Sequence, residues 1–241
     1  MNKSYIWCII LSIFFISVLY MTDYYSKYLK YKNKYNAIKK KYNTVENSLI
    51  GSNSFINNLI WRRAEKHFSP GPVNIGPIKS AIINAPSSYG IQPFHVIAIT
   101  NPEIKMKLKE ACYRQTQIEE CYCLFIFCAI ENLEERIDEF ISKTGFVDKK
   151  ESMIKYINNL PCKLEWAKMQ AYIALGFGMA AAMELNIASC PMEGFKPNEI
   201  SEVLNLNNNL KPCVLLTVGN KKNGYLLEKR FRFNNIISNL D

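Results

Sequence analysis

The chain has 241 residues, an apolar fraction of 49% and a net charge of +9, which supports one substantial hydrophobic core or two small ones. Residues 1–50 carry eight lysines against Asp23 and Glu46, so six of the nine net positive charges sit there. The remainder is close to neutral, which argues against a nucleic-acid-binding body. Eight cysteines without paired CxxC spacing, and only His67 and His95 beside them, speak against a structural zinc or other metal site and for reduced, buried thiols of a cytosolic compartment.

In chain order, residues 5–21 form an uncharged run at the short end of what spans a bilayer at ~1.5 Å rise per residue. Tyr20, Met21, Tyr24 and Tyr25 follow where a signal peptide would offer small residues, so residues 1–22 read as a transmembrane signal anchor. Lys27, Lys30, Lys32, Lys34, Lys39, Lys40 and Lys41 lie beyond it. The positive flank places the body on the cytoplasmic side of a single-pass membrane protein. Residues 23–54 read as a basic helical stalk or linker in which Tyr28, Tyr31, Tyr35, Ile38, Tyr42, Val45 and Leu49 recur at three and four. A short coiled stalk and a solvated basic helix near anionic headgroups both fit that spacing. Gly51-Ser52-Asn53-Ser54 marks the boundary of a single body over residues 55–241.

That body reads as mixed α and β. Helical spacing covers residues 55–66, turn chemistry follows at Ser69-Pro70-Gly71-Pro72, and residues 78–83 form a short helix opened by Pro77. Asn101-Pro102-Glu103 supplies an N-cap, a first-turn proline and a dipole-compatible acid for a helix toward Cys112. Residues 94–100, 123–129 and 213–219 read as buried strands, with Cys121 and Cys123 sharing one strand face. Residues 164–185 form a long helix whose Ala171, Ala174, Gly176, Gly178 and Ala180–Ala182 allow close backbone approach. It reads as the central helix of the body, at a dimer seam.

Four clusters carry chemistry. In Ala85-Pro86-Ser87-Ser88-Tyr89-Gly90-Ile91-Gln92-Pro93-Phe94, turn formers and hydroxyls precede an apolar run, so the loop can hold close to a flat polar ligand or serve as a plain connection. Arg62-Arg63-Ala64-Glu65-Lys66-His67-Phe68 sets basic side chains at i, i+1 and i+4, which suits a phosphate or a developing anion. Cys190-Pro191-Met192-Glu193-Gly194-Phe195 follows the long helix, and Lys229-Arg230-Phe231-Arg232 lies near the C-terminus. Each of these alone also reads as a solvated face or a loop.

Taken in order, the four clusters resemble the FMN-dependent nitroreductase family over about residues 55–238. The resemblance implies an α+β fold, a central mixed or antiparallel sheet flanked by helices, and an intertwined homodimer with FMN at the subunit interface. It implies reduction by NADH or NADPH and reoxidation by a nitroaromatic, a quinone or a similar flat acceptor in alternating turns. Arg62, Arg230 and Arg232 match positions that hold the FMN phosphate, and Arg63 and Lys66 match residues near the ribityl chain and the flavin N1/O2 edge. Pro86, Ser87, Ser88 and Gly90 match the loop that contacts the ring from the partner subunit. Pro191, Met192, Glu193 and Gly194 match the segment over the other ring face, and Gln117 matches a position facing the pyrimidine ring. The resemblance implies no catalytic acid or base; Lys66 and Glu193 are the nearest support for hydride transfer at the flavin.

The chain departs from the family pattern where Ala64 replaces a common serine, Gly90 and Arg114 replace asparagines, and Arg230 replaces lysine. Two alternatives follow. One is a reductive dehalogenase resembling iodotyrosine deiodinase, with residues 132–164 as its substrate-covering helices. The other is an inactive, membrane-tethered scaffold.

Overall fold

The computed structural model describes residues 26, 27, 29, 30, 32–34, 54–223, 232, 233 and 236–238. It divides into residues 1–57 and 58–241. In the first unit the described residues among 26–34 are helical. The expected anchor at 1–22 and most of the stalk, residues 35–53 included, lie outside the described residues.

The expected membrane location, with the body facing the cytoplasm, is corrected. Among the described residues no helix is long and apolar enough to cross a membrane. The longest of them carries Lys163, Glu165, Lys168 and Glu184 and lays Ala171, Ala174 and Ala182 on the sheet.

The body begins with α1 (Ser54–Trp61) and the two-residue strand β1 (Phe68–Ser69). α1 stops five residues short of the expected end. Its last turn closes with Arg62 N donating to Asn58 O at 3.0 Å. From there a sheet edge captures the chain: Ala64 bridges Ser189 in parallel, and Glu65 N donates to Ser189 O at 3.0 Å. The residues that were to share a helix face therefore lie along an extended segment.

α2 (Gly76–Ile83) carries Pro77 in its first turn as expected, and a 3-10 turn, Ser88–Gly90, leads into β2 (Phe94–Ile99). α3 (Pro102–Ala111) is capped by Asn101, whose Oδ1 accepts from Glu103 N at 2.8 Å and Ile104 N at 3.2 Å. α4 (Gln117–Glu120) precedes β3 (Cys123–Ile130), every residue of which is buried. α5 (Leu133–Thr144) ends on Gly145, whose φ of 74° is the left-handed geometry of a C-terminal cap. α6 (Lys150–Asn158) and α7 (Lys163–Glu184) follow. The chain ends its described fold with β4 (Ala188–Met192), α8 (Pro197–Val203) and β5 (Leu210–Lys221).

All strand ladders are antiparallel, in the order β1, β5, β3, β2, with β4 also on β5. β4 was not foreseen, because Pro191 breaks a strand pattern. It is accommodated here because, among the described residues, the outer side of β4 meets only the isolated bridge at Ala64.

β3 explains the layering. Its alternation sends Leu124, Ile126 and Cys128 to a cluster under α3, α4 and α8, and sends Cys123, Phe125 and Phe127 to a second cluster under α2 and α7. A third cluster joins α5 and α6 to the start of α7. Cys121 belongs with Leu124 and not with Cys123. The expected shared face is corrected because Cys121 ends α4, and the strand begins only at Cys123.

Burial pushes the thiols of Cys112, Cys121 and Cys128 up to about 12 and that of Cys123 to about 11. A thiol raised on folding favours the fold while protonated, so its contribution is full below the ordinary value and is lost as pH rises through the folded one. Urea unfolding should therefore show constant thiol-linked stability up to about pH 9, then a fall toward pH 11. A variant with Cys121 and Cys128 replaced by Ala should show a shallower fall; an equal slope would refute the linkage.

Candidate functional site

Three of the four clusters converge, as the electrostatics of their residues show. Burial, then Arg232, then Arg63 hold the half-buried Arg62 guanidinium below its ordinary value, so the C-terminal cluster reaches the segment after α1. Burial pushes the Cys190 thiol up against the opposing pull of Lys66 and then Arg62, which puts β4 beside the same cations. Arg230 lies outside the described residues.

The side chains along 62–66 differ in their duties. Arg63 Nη1 donates to Ile60 O at 2.6 Å and to Arg62 O at 3.0 Å, as a cation at the C-terminus of α1. Ala64 and Lys66 are exposed, while Glu65 is buried. Ser189, paired with Ala64, is 2% exposed, and its Oγ is buried without a hydrogen-bond partner. A cavity of about 30 Å³ touches Arg62, Arg63, Glu65 and Ser189.

The segment after β4 is built on the chain on both sides. Pro191 is half-buried, and Met192 lies in the core at 5% exposure, so its side chain faces the protein. Glu193 is exposed and accepts a 2.6 Å hydrogen bond from the Tyr172 hydroxyl of α7. Burial and then the Glu193 carboxylate raise the phenol well above its ordinary value, so this donor keeps its proton. On the other side Gln115 Nε2 donates to Gly194 O at 2.7 Å, and the buried Gln117 donates to Gln115 Oε1 at 2.9 Å. A Cβ on Gly194 would stand 3.1 Å from Gln115 Nε2, so glycine permits this approach. Arg114 turns away, forming an exposed 2.9 Å ion pair with Glu110. A pocket of about 470 Å³ opens beside Glu193, walled by Lys168, Met169, Tyr172, Phe195 and Cys213 among others.

The loop of Pro86, Ser87, Ser88 and Gly90 is equally fixed. Ser88 N donates to Oε1 of the buried Gln170 at 3.0 Å, and Ser87 Oγ accepts from Gln92 N at 2.9 Å. Gly90 has φ of +73°, a conformation for which glycine is suited. Gln170 and Tyr172 are two residues apart on α7, hence roughly 200° around its axis. The loop and the Glu193 segment thus attach to different sides of one helix.

The residues present fit a phosphate-bearing cofactor such as FMN. Crowded guanidiniums around Arg62 and an unsatisfied buried hydroxyl at Ser189 form a donor set that an oxyanion satisfies. Gln115, Gln170, Tyr172 and Ser189 escaped the reading of the chain. None stands in a motif, and each gains its role only through a partner that folding brings near.

The nitroreductase family model matches residues 59–220. An NADH dehydrogenase of Thermus thermophilus is 26% identical over 168 residues, covering 66% of this chain and 82% of its own. An FMN reductase [NAD(P)H] of Bacillus subtilis is 28% identical over 172 residues, covering 69% of this chain and 66% of its own. A structure from Exiguobacterium sibiricum, solved in complex with FMN, superposes with a TM-score of 0.65 at 18% identity over 77% of this chain and 97% of that one. With the family model matched over residues 59–220 and its antiparallel sheet in the family fold, the chain belongs to the nitroreductase family.

Proposed function

We propose that this chain is an NAD(P)H-dependent FMN oxidoreductase that works as a homodimer and reduces nitroaromatic, quinone or similar flat acceptors by a ping-pong route. The reading is carried by Arg232, far away in sequence, acting electrostatically on Arg62, and by Arg62 and Lys66 acting on Cys190 of β4. Arg62, Arg230 and Arg232 hold the phosphate in this reading, and Arg63 braces the turn that presents Arg62. Lys66 supplies a cation toward the ring edge that becomes anionic on reduction. FMN, when bound, supplies the hydride chemistry itself. Tyr172 holds the Glu193 side chain and Gln115 the Gly194 carbonyl, so this segment would present its N–H groups to the ring without reorganising.

The dimer rests on an apolar stripe. Met169, Tyr172, Ile173 and Phe177 are exposed along α7 at helical spacing, with Gly176 between them. Such a stripe on a soluble-facing helix calls for a cover, and a second copy would bring its Pro86–Gly90 loop toward the first copy's cofactor. Several charged residues of α5 and α6 engage one another, as in Lys143 with Glu139 and Lys150 with Asp138. That favours a flat acceptor over a zwitterionic amino acid.

The purified chain should be yellow, release FMN on denaturation and bleach anaerobically with NADH or NADPH. Colourless protein that cannot be reconstituted with FMN would sink the proposal.

A further inference from the structure

The turn between α2 and β2 holds its most demanding backbone at a bulky residue. Tyr89 has φ of 56° and ψ of 2°, although the left-handed region is one that large side chains rarely adopt. The surroundings over-determine it. Ser88 N is held by Gln170, Gln92 N by Ser87 Oγ, and the Ile91 carbonyl accepts from Arg136 Nε at 2.9 Å. Strain kept in this way at a position where glycine would sit freely is expected where the side chain has a use.

The ring itself is propped from below. Tyr89 meets Tyr156 of α6 edge to face, with centroids 5.3 Å apart and planes at 64°. Tyr156 in turn meets Trp166 of α7 at 6.0 Å and 67°. Trp166 is buried at 6% exposure, whereas Tyr89 and Tyr156 keep 46% and 37%. The ladder thus runs from the core to an aromatic surface that is rigid at its base and open at its top. No charged residue stands in the loop from Pro86 to Ile91, and the neighbours of Tyr156 along its own helix face are Ser152, Met153, Asn159 and Leu160.

We propose that Tyr89, braced by Tyr156, is the shelf on which the flat, uncharged ring of the electron acceptor stacks. This rests on the reading of the 86–90 loop as the one that faces the flavin. Offset or edge-to-face contact with a ring suits quinones and nitroarenes. The loop carries no charge of its own, and Arg136, which holds its Ile91 and Gln92 carbonyls, is paired with Glu139, so the shelf selects on the oxidative half-reaction.

The test uses the full-length, FMN-loaded protein with Tyr89→Gly and Tyr89→Phe. Glycine removes the ring and also the strain, so the thermal midpoint should hold or rise. The ratio of kcat/KM for menadione to that for ferricyanide, an acceptor with no ring, should fall about tenfold. Tyr89→Phe should keep most of the ratio, and Tyr156→Leu should lower it in part. A ratio unmoved in Tyr89→Gly overturns the shelf, as does a lowered midpoint or lost FMN, either of which marks Tyr89 as structural. Wild-type chain that holds no FMN overturns the functional reading and the shelf with it.

Discussion

Arg62→Met is expected to weaken FMN binding about 10- to 100-fold, the ~1.5–3 kcal/mol of a charge-assisted hydrogen bond, and to leave riboflavin binding nearly unchanged. The contrast follows from where the charge sits. Arg62 is half-buried and lies near Arg232 and Arg63, so in the absence of an anion its positive charge is resisted by its neighbours. The midpoint gained on adding FMN should shrink in step with the affinity. Titration of flavin fluorescence with FMN and riboflavin in parallel measures the ratio. Equal weakening of both flavins would place Arg62 away from the phosphate.

Phe125→Ala should lower the unfolding free energy by about 3–5 kcal/mol. Phe125 is 1% exposed at the middle of β3, paired with Ala98 on one side and Leu216 on the other. Its side chain belongs to the cluster of Ile78, Ile82, Ala174 and Leu175, and α2 and α7 rest on that cluster. The loss therefore combines transfer of a large apolar group with a cavity between two helices and a sheet that relax only partly. For a domain of roughly 5–15 kcal/mol total stability this is severe. Ile83→Ala, at a site 66% exposed on the same helix α2, should stay within about 0.5 kcal/mol. Urea midpoints at constant slope measure both, and similar shifts would mean that the α2–α7 layer contributes little to the core.

Much of the body was legible because its signals are local. Asn101 announces α3 through its own side chain, Pro77 opens α2, and the apolar runs of β2, β3 and β5 need no context to be read as buried strands. The misreadings arose where distant chain competes with local preference. Helical spacing continues past Trp61, yet the outer edge of β4 captures Ala64 and Glu65. β4 itself was hidden by Pro191, and Cys121 took a strand's alternation for its own while ending a helix.

At the site, the motifs named Arg62, Arg232, Glu193 and Gly194 through their resemblance. Their supports were silent, since Tyr172 and Gln170 read as part of a small-residue helix and Gln115 drew no reading beside Arg114 and Gln117. The apolar run of residues 5–21 was legible as hydropathy and lies outside the described residues.

β5 is the last described strand in sequence, yet it pairs with β1, β3 and β4. Of the ladders, only β2 with β3 can form before it has been synthesised. During translation, then, the chain must carry a fully apolar β3 with one edge open until Lys221 has left the ribosome. Such a topology has a high contact order and exposes an aggregation-prone intermediate. A chain truncated before Leu210 should consequently be insoluble rather than merely inactive, and holding factors should associate with the nascent protein longer than with a domain whose central strand comes first.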